Sequence, residues 1–223
     1  LSGVKLMWVN YPNMPTGQAA DPAFFVKLIA FSKRNNILIV NDNPYSFILN
    51  DSPKSILSTD GAFDCTLELN SLSKSQNMAG WRMGMLAGKA EFIQYVLRVK
   101  SNMDSGQFKP MQMAATKALE LDQSWYESIN KEYKARRELI WKLYNMLGCT
   151  YSKTQNGMFV WATIPDNASS GQEFADAILQ ESKVFITPGF IFGSQGNRYI
   201  RASLCQPQDI ILQAMKRIQR YDL

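Results

Sequence analysis

The chain has 223 residues, is 46% hydrophobic and carries 24 Lys and Arg against 19 Asp and Glu, for a formal net charge of +5. Those values place it among ordinary soluble globular proteins, long enough for one large domain or two modest ones with a sizeable core. Histidine is absent, which excludes an imidazole triad and any His-ligated metal site, so no metal is expected and proton transfer must use another side chain.

No run approaches the 18 apolar residues of a membrane span, and no charged-then-apolar leader is visible, so no membrane partner is expected. Cys65, Cys149 and Cys205 are odd in number and scattered, with no CxxC pair, which favours a reducing, cytoplasmic setting. The densest basic cluster, Lys131, Lys134, Arg136 and Arg137, is interleaved with Glu127, Glu132 and Glu138 on a helical pattern. That reads as a solvated helix face rather than a polyanion surface, and no nucleic-acid partner is expected.

In chain order, Lys5 to Val9 reads as a strand running into NYPNMPTG, residues Asn10 to Gly17. Asp21-Pro22 has the form of an N-cap with proline at the first helical position, opening a helix through about Arg34. Ile37 to Val40 is an all-apolar run of buried-strand type and leads at once into Asn41-Asp42-Asn43-Pro44-Tyr45. A second buried strand, Cys65 to Leu69, ends in Ser71-Leu72-Ser73-Lys74, and Met85 to Ala87 is a further short strand. Strands separated by crossover helices predict a mostly parallel sheet whose ligands lie beyond the carboxyl ends of the strands, where the polar residues gather.

From about Ser124 to Leu147 the residues Trp125, Ile129, Tyr133, Ile140, Leu143 and Leu147 share one helical face, and Gly148 stops the helix. After this long linking helix come a strand (Met158 to Ala162), a helix (Gln172 to Ser182), a short strand into Thr187-Pro188-Gly189, a strand (Arg198 to Leu204) and a final amphipathic helix from Pro207. That order predicts a smaller α+β domain following the linker.

Four places carry candidate chemistry, and each alone also fits a plain structural role. SLSKSQNMAGWRMG sets Ser71, Ser73, Lys74 and Arg82 at a strand end, where a solvated lysine is ordinary. NDNPY sets Asp42 and Tyr45 at another, in a sequence that favours an Asx turn by itself. TPGFIFG reads equally as a glycine-rich turn, and Arg201 in RYIRAS as an edge-strand charge.

Together, in this order and spacing, PNMPTG, DNPY, SLSKS with the arginine of GWRMG eight positions after Lys74, NGMFVW, TPGFIFG and RYIRAS resemble the fold-type I, class I/II pyridoxal 5'-phosphate-dependent aminotransferases, of aspartate, aromatic or diaminopimelate type. The resemblance runs from Val9 to about Leu204. It implies an α/β fold made of the C-terminal portion only. A truncated cofactor-binding large domain would occupy 1–130, and a small C-terminal α+β domain 131–223, linked by the helix at about 124–147.

By the same resemblance, Lys74 would be the catalytic residue, forming a Schiff base with the cofactor and then shuttling protons. A lysine beside other cations in a desolvated cleft is a competent nucleophile at a depressed pKa. Asp42 would face the pyridine nitrogen, Tyr45 and Asn13 the ring phenolate, and Ser71, Ser73 and Arg82 the phosphate, with Arg201 gripping the substrate α-carboxylate in a bidentate pair. The implied activity is transamination between an amino-acid donor and a 2-oxo acid acceptor, by a homodimer when full-length. A C–S β-lyase, the aminotransferase-like domain of a regulator and an inert fragment are the alternatives.

Two departures from the family pattern are expected to matter. Segments that the family carries before PNxPTG, among them a phosphate loop and a ring that stacks on the pyridine, have no counterpart here, so the chain is expected to be incomplete and weakly active or inactive alone. Met14 stands where the pattern has asparagine, one position after Asn13. Methionine cannot donate to a phenolate, so either Asn13 approaches that role or the contact is lost, at a cost on the order of 1.5–3 kcal/mol.

Overall fold

The computed structural model describes residues 3–220 as two compact units. One comprises Ala19–Glu127 with the stretch up to Asn13; the other comprises Met14–Gln18 with Ser128 onward. The boundary falls inside one long helix.

The first unit is an α/β arrangement around a four-stranded sheet in the order β1 (Leu6–Asn10), β2 (Leu38–Asp42), β3 (Thr66–Ser71), β4 (Gly84–Gly88). Strands β1, β2 and β3 are parallel, and β4 is antiparallel to β3. The parallel pair β1–β2 is bridged by helix α1 (Pro22–Asn35), whose start follows the expected chemistry: the Asp21 side chain accepts from the Ala23 N–H, and Pro22 sits at the first position. Between β3 and β4 the chain has room only for a single-turn helix, α2 (Leu72–Ser75), and a tight turn. The backbone bond from Leu72 N–H to Met83 O closes that excursion like a hairpin, which is why β4 returns antiparallel.

Helix α1 buries Phe25, Leu28 and Ile29 against Ile37 and Ile39 of the sheet, with Ile56 and Ala62 completing the cluster. A second cluster sets Leu72, Met78 and Met83 against Ala115 and Ala118. The latter two belong to α4 (Lys109–Leu119), which with α3 (Ala90–Met103) occupies a stretch for which the sequence predicted no element. Helix α3 buries none of its residues, and Val99 is 60% exposed, so its periodicity is not matched by a packed face. At the β1 edge Leu6, Met7 and Trp8 are exposed as well.

Helix α5 (Gln123–Met146) matches the predicted long helix within a residue at each end. The second unit is built on an antiparallel sheet in the order β5 (Thr150–Tyr151), β6 (Phe159–Thr163), β8 (Tyr199–Ser203), β7 (Thr187–Pro188). Helix α6 (Gly171–Ser182) starts at Ser170, whose hydroxyl accepts from the Glu173 N–H, and α7 (Gln208–Ile218) closes the unit. Ile140, Leu143 and Tyr144 of α5 are buried with Val160 and Ala162 of β6, Ile178 of α6, Ile200 of β8 and Ile211 of α7. Tyr144 satisfies its buried hydroxyl by donating to Val160 O at 3.2 Å.

Candidate active site

Because β1, β2 and β3 are parallel, their last residues Asn10, Asp42 and Ser71 finish at the same end of the sheet. Period-2 alternation separates the polar residues of the NDNP stretch by face. Asn41 and Asn43 point one way and are fully buried; Asp42 points the other way and is exposed. Asn41 Nδ2 donates to Glu68 Oε2 at 3.0 Å, its Oδ1 accepts from the Tyr11 N–H at 3.3 Å, and Asn43 Nδ2 donates to Lys54 O at 3.2 Å. Asn10 Nδ2 donates to the backbone carbonyl of Asp42 at 2.6 Å. The strand end is therefore fixed from behind while the Asp42 carboxylate stays presented. Desolvation pushes its carboxyl above the ordinary carboxylate value of 3.8, with no neighbouring cation or hydrogen bond offsetting it among the described residues.

Lys74 sits on α2, immediately past the end of β3. The Ser71 hydroxyl caps that turn by accepting from the Ser73 N–H at 3.2 Å. Lys74 Nζ lies 5.8 Å from the centroid of the buried Tyr45 ring. From behind, Trp125 Nε1 donates to Ser75 O at 2.9 Å, and Gln76 Nε2 donates to the Tyr126 hydroxyl at 3.0 Å. Arg82 precedes Met83, whose backbone carbonyl accepts from the Leu72 N–H, so its backbone belongs to the same turn as Ser71 and Ser73. Arg82 is exposed, in the left-handed region at φ 54°, and its Nη1 donates to Ala79 O at 3.0 Å. Gly84 lets this turn lie flat on β3, since a Cβ there would come within 2.8 Å of Asn70 O.

In the second unit Arg201 occupies the middle of β8, paired with Trp161 of β6 and Thr187 of β7. Its guanidinium carbon lies 4.1 Å from the Phe159 ring centroid and 4.5 Å from that of Phe192, a sandwich of a cation between two π faces. Arg201 Nη1 donates to Met14 Sδ at 3.2 Å. Trp161 stacks on Tyr199 with centroids 5.1 Å apart. Gly189 of TPGFIFG allows this packing, because a Cβ there would meet Trp161 Cη2 at 2.7 Å and Tyr199 O at 2.8 Å. Asn13 is half-buried between two cis peptide bonds, Tyr11–Pro12 and Met14–Pro15.

Asp42, Tyr45, Ser71, Ser73, Lys74 and Arg82 thus all lie in the first unit around the ends of β2 and β3, and Arg201 lies in the second. No motif marked Asn41, Glu68, Gln76 or Tyr126 as supports of the site, and Trp125 was legible only as part of the apolar face of the long helix. The only trace of Asn41 and Glu68 is an Asn or Glu within an otherwise apolar strand. Phe159 and Phe192 lie inside the NGMFVW and TPGFIFG motifs, but nothing in the motifs couples them to Arg201. Among the described residues no group of three or more His, Cys, Asp or Glu could hold a metal ion, and no helix is long and apolar enough to cross a membrane.

The model of the family "Aminotransferase class I and II" matches residues 2–218. The LL-diaminopimelate aminotransferase of Nitratidesulfovibrio vulgaris is 37% identical over 217 residues, which is 96% of this chain and 56% of that protein. The glutamate-pyruvate aminotransferase AlaC of Escherichia coli is 39% identical over 219 residues, 96% of this chain and 53% of that protein. Among solved structures, apo-BacF from Bacillus subtilis superposes with a TM-score of 0.91 at 38% identity, covering 99% of this chain and 56% of that one. The chain spans a little over half the length of these relatives.

Proposed function

The chain belongs to the class I and II aminotransferase family, and on that premise we propose that it takes part in pyridoxal 5'-phosphate-dependent transamination, with Lys74 as the catalytic residue. The observation that carries this reading is the convergence of Lys74, Asp42 and the Ser71–Ser73–Arg82 turn at one end of a parallel sheet.

These residues fit the cofactor. A carboxylate that is partly desolvated and offset by no cation matches a protonated ring nitrogen, and Asp42 is such a group. Two serines and an exposed arginine on one turn suit a phosphate, to which arginine offers a planar fork of donors. The Lys74 amine, next to the Tyr45 ring, is a primary amine able to condense with an aldehyde. When bound, the cofactor supplies an electron sink for the pair left when the substrate Cα–H bond breaks.

The remaining work falls to the protein. Asp42 holds a proton on the ring nitrogen by charge; Tyr45, with Asn13 as the second candidate donor, hydrogen-bonds the phenolate oxygen. With the cofactor bound, the Lys74 amine would be the base that takes the proton from the substrate Cα and the acid that gives it back, which makes one residue both base and acid. Arg201 holds the α-carboxylate of the donor amino acid and of the 2-oxo acid acceptor, and so orients the Cα–H bond. The full-length protein acts as a homodimer, as the family resemblance implies. A cytoplasmic location agrees with three free cysteines. The division into a cofactor-binding large domain to about residue 130 and a small domain beyond it belongs to the same reading.

The test is to add pyridoxal phosphate, reduce with borohydride and map the label by mass spectrometry. Covalent mass on Lys74, lost in Lys74→Ala, supports the proposal; a label on another lysine overturns it. Assaying products then separates the chemistries. A keto acid formed with stoichiometric amino transfer indicates transamination, and pyruvate with ammonia indicates a β-lyase.

A further inference from the structure

We infer that a cavity in the second unit, enclosed by β8, α7 and the segment entering β7, binds a small aliphatic carboxylic acid with its tail inward and its carboxylate at the rim. This goes beyond the transamination proposed above and does not rest on it. Strand β7 sets Thr187 opposite Arg201 and Pro188 opposite Ile200, a register that would next bring Ile186 opposite Ala202. Pairing instead ends at Thr187, and residues 183–186 leave a space of about 530 Å³ between themselves and Arg201, Ala202 and Ser203 of β8. Helix α7 closes it with Ile210, Ala214 and Arg217, which share a face because they fall four and then three positions apart. The volume lies in the range of small-molecule sites.

The floor is apolar. Ile140 and Leu143 of α5, with Ile186 and Ile211, line it and are each at most 5% exposed. The rim is basic: Lys183 and Arg217 also line the cavity, and both are exposed. Arg217 Nη1 reaches the Lys183 carbonyl oxygen at 3.5 Å, so the guanidinium stands beside the residue that carries the second cation. Among the described residues no acidic side chain lines the cavity, and neither cation is in an ion pair. A matching ligand takes its apolar part out of water and keeps one negative charge at the surface. A monocarboxylate on an aliphatic chain does both. A dicarboxylate would set its second charge on the apolar floor, and an amine would meet two like charges.

The experiment titrates the full chain with hexanoate, octanoate and octanol by calorimetry, with the fold of each variant checked by circular dichroism. The expected result is one saturable octanoate site, about fourfold tighter binding per methylene from hexanoate to octanoate, and weaker binding of octanol. Lys183→Gln and Arg217→Gln should each weaken octanoate binding about twofold to fivefold, the scale of an exposed ion pair, and more when combined. Ala214→Trp, which fills the cavity from α7, should abolish binding; Ala214→Leu, expected to weaken it, serves if tryptophan fails to fold. No octanoate site, or an affinity indifferent to tail length or to the residue at 214, overturns the inference. So does binding lost in Arg201→Ala but kept in Ala214→Trp and the rim variants, which would assign the acid to the carboxylate site of the proposed reaction. Self-association in light scattering that octanoate leaves unchanged and Ala214→Trp abolishes also overturns it, and would give the cavity to a second copy of the chain.

Discussion

Glu68 offers a sharp test of how the strand ends are held. The residue is 6% exposed and its Oε2 accepts two bonds, from Asn41 Nδ2 and from the Ile56 N–H, each at 3.0 Å. Glu68→Ala leaves both donors buried without an acceptor, and each such loss costs about 1–3 kcal/mol, so the variant should lose roughly 2–6 kcal/mol. Against the ~5–15 kcal/mol of a typical domain that is a large fraction. Glu68→Gln keeps one carbonyl oxygen able to serve both donors and should lose about 1 kcal/mol. Urea unfolding followed by tryptophan fluorescence, with equal slopes in the variants, measures the difference. The same network reaches the site, since Asn41 also accepts from the Tyr11 N–H and its neighbour Asp42 ends the strand. Equal midpoints for the alanine and glutamine variants would refute the reasoning, because they would show that the two donors do not depend on this oxygen.

Asp42→Asn should leave borohydride trapping at Lys74 intact while lowering turnover by about 10²–10³-fold, the scale of a lost preorganised charge; turnover near the unaltered level would exclude the ring-nitrogen role. Because desolvation raises the Asp42 pKa, the ionised form disfavours the cofactor-free fold, so stability contributed here is present below 3.8 and lost as pH rises through the folded pKa. The same substitution should therefore raise the urea midpoint of the cofactor-free chain at neutral pH. Burial pushes the Cys149 thiol from 9.0 up to about 12, so the folded state holds that proton more tightly than the unfolded chain. Stability is then complete below about pH 9 and falls toward pH 12, and in iodoacetamide labelling at pH 8 exposed Cys205 should react while Cys149 stays protected. Gly17→Ala should cost at least about 1–2 kcal/mol, since its φ of 69° is left-handed and a Cβ would meet Asn156 O at 2.8 Å; an unchanged melting temperature would contradict that.

Much of the architecture was legible because it rests on local rules. Asp21-Pro22 announced α1, the apolar run before Asn41 announced a strand buried on both faces, and the spacing from Trp125 to Leu147 announced α5. Helices α3 and α4 lie where no element was predicted: α3 buries none of its residues, and α4 buries only the small Ala115 and Ala118, a weak hydrophobic mark in the sequence. The antiparallel return of β4 was also hidden, since strand direction depends on how much chain the connection has, and here α2 and a tight turn take nearly all of it.

By itself the sequence determined the types and order of most elements, α3, α4 and β5 excepted, the family to which the motifs point, and the set of chemically able residues. Those depend on side-chain identity and on spacing along the chain. Only the tertiary structure decided which face of β2 carries Asp42, that Glu68 braces Asn41, and that Arg201 lies between Phe159 and Phe192 with Met14 on its edge. The last is the clearest case. Met14 and Arg201 are 187 positions apart, and a contact of that range is set by the register of β8 against β6 and by where the Met14–Gln18 stretch packs, neither of which any local pattern encodes.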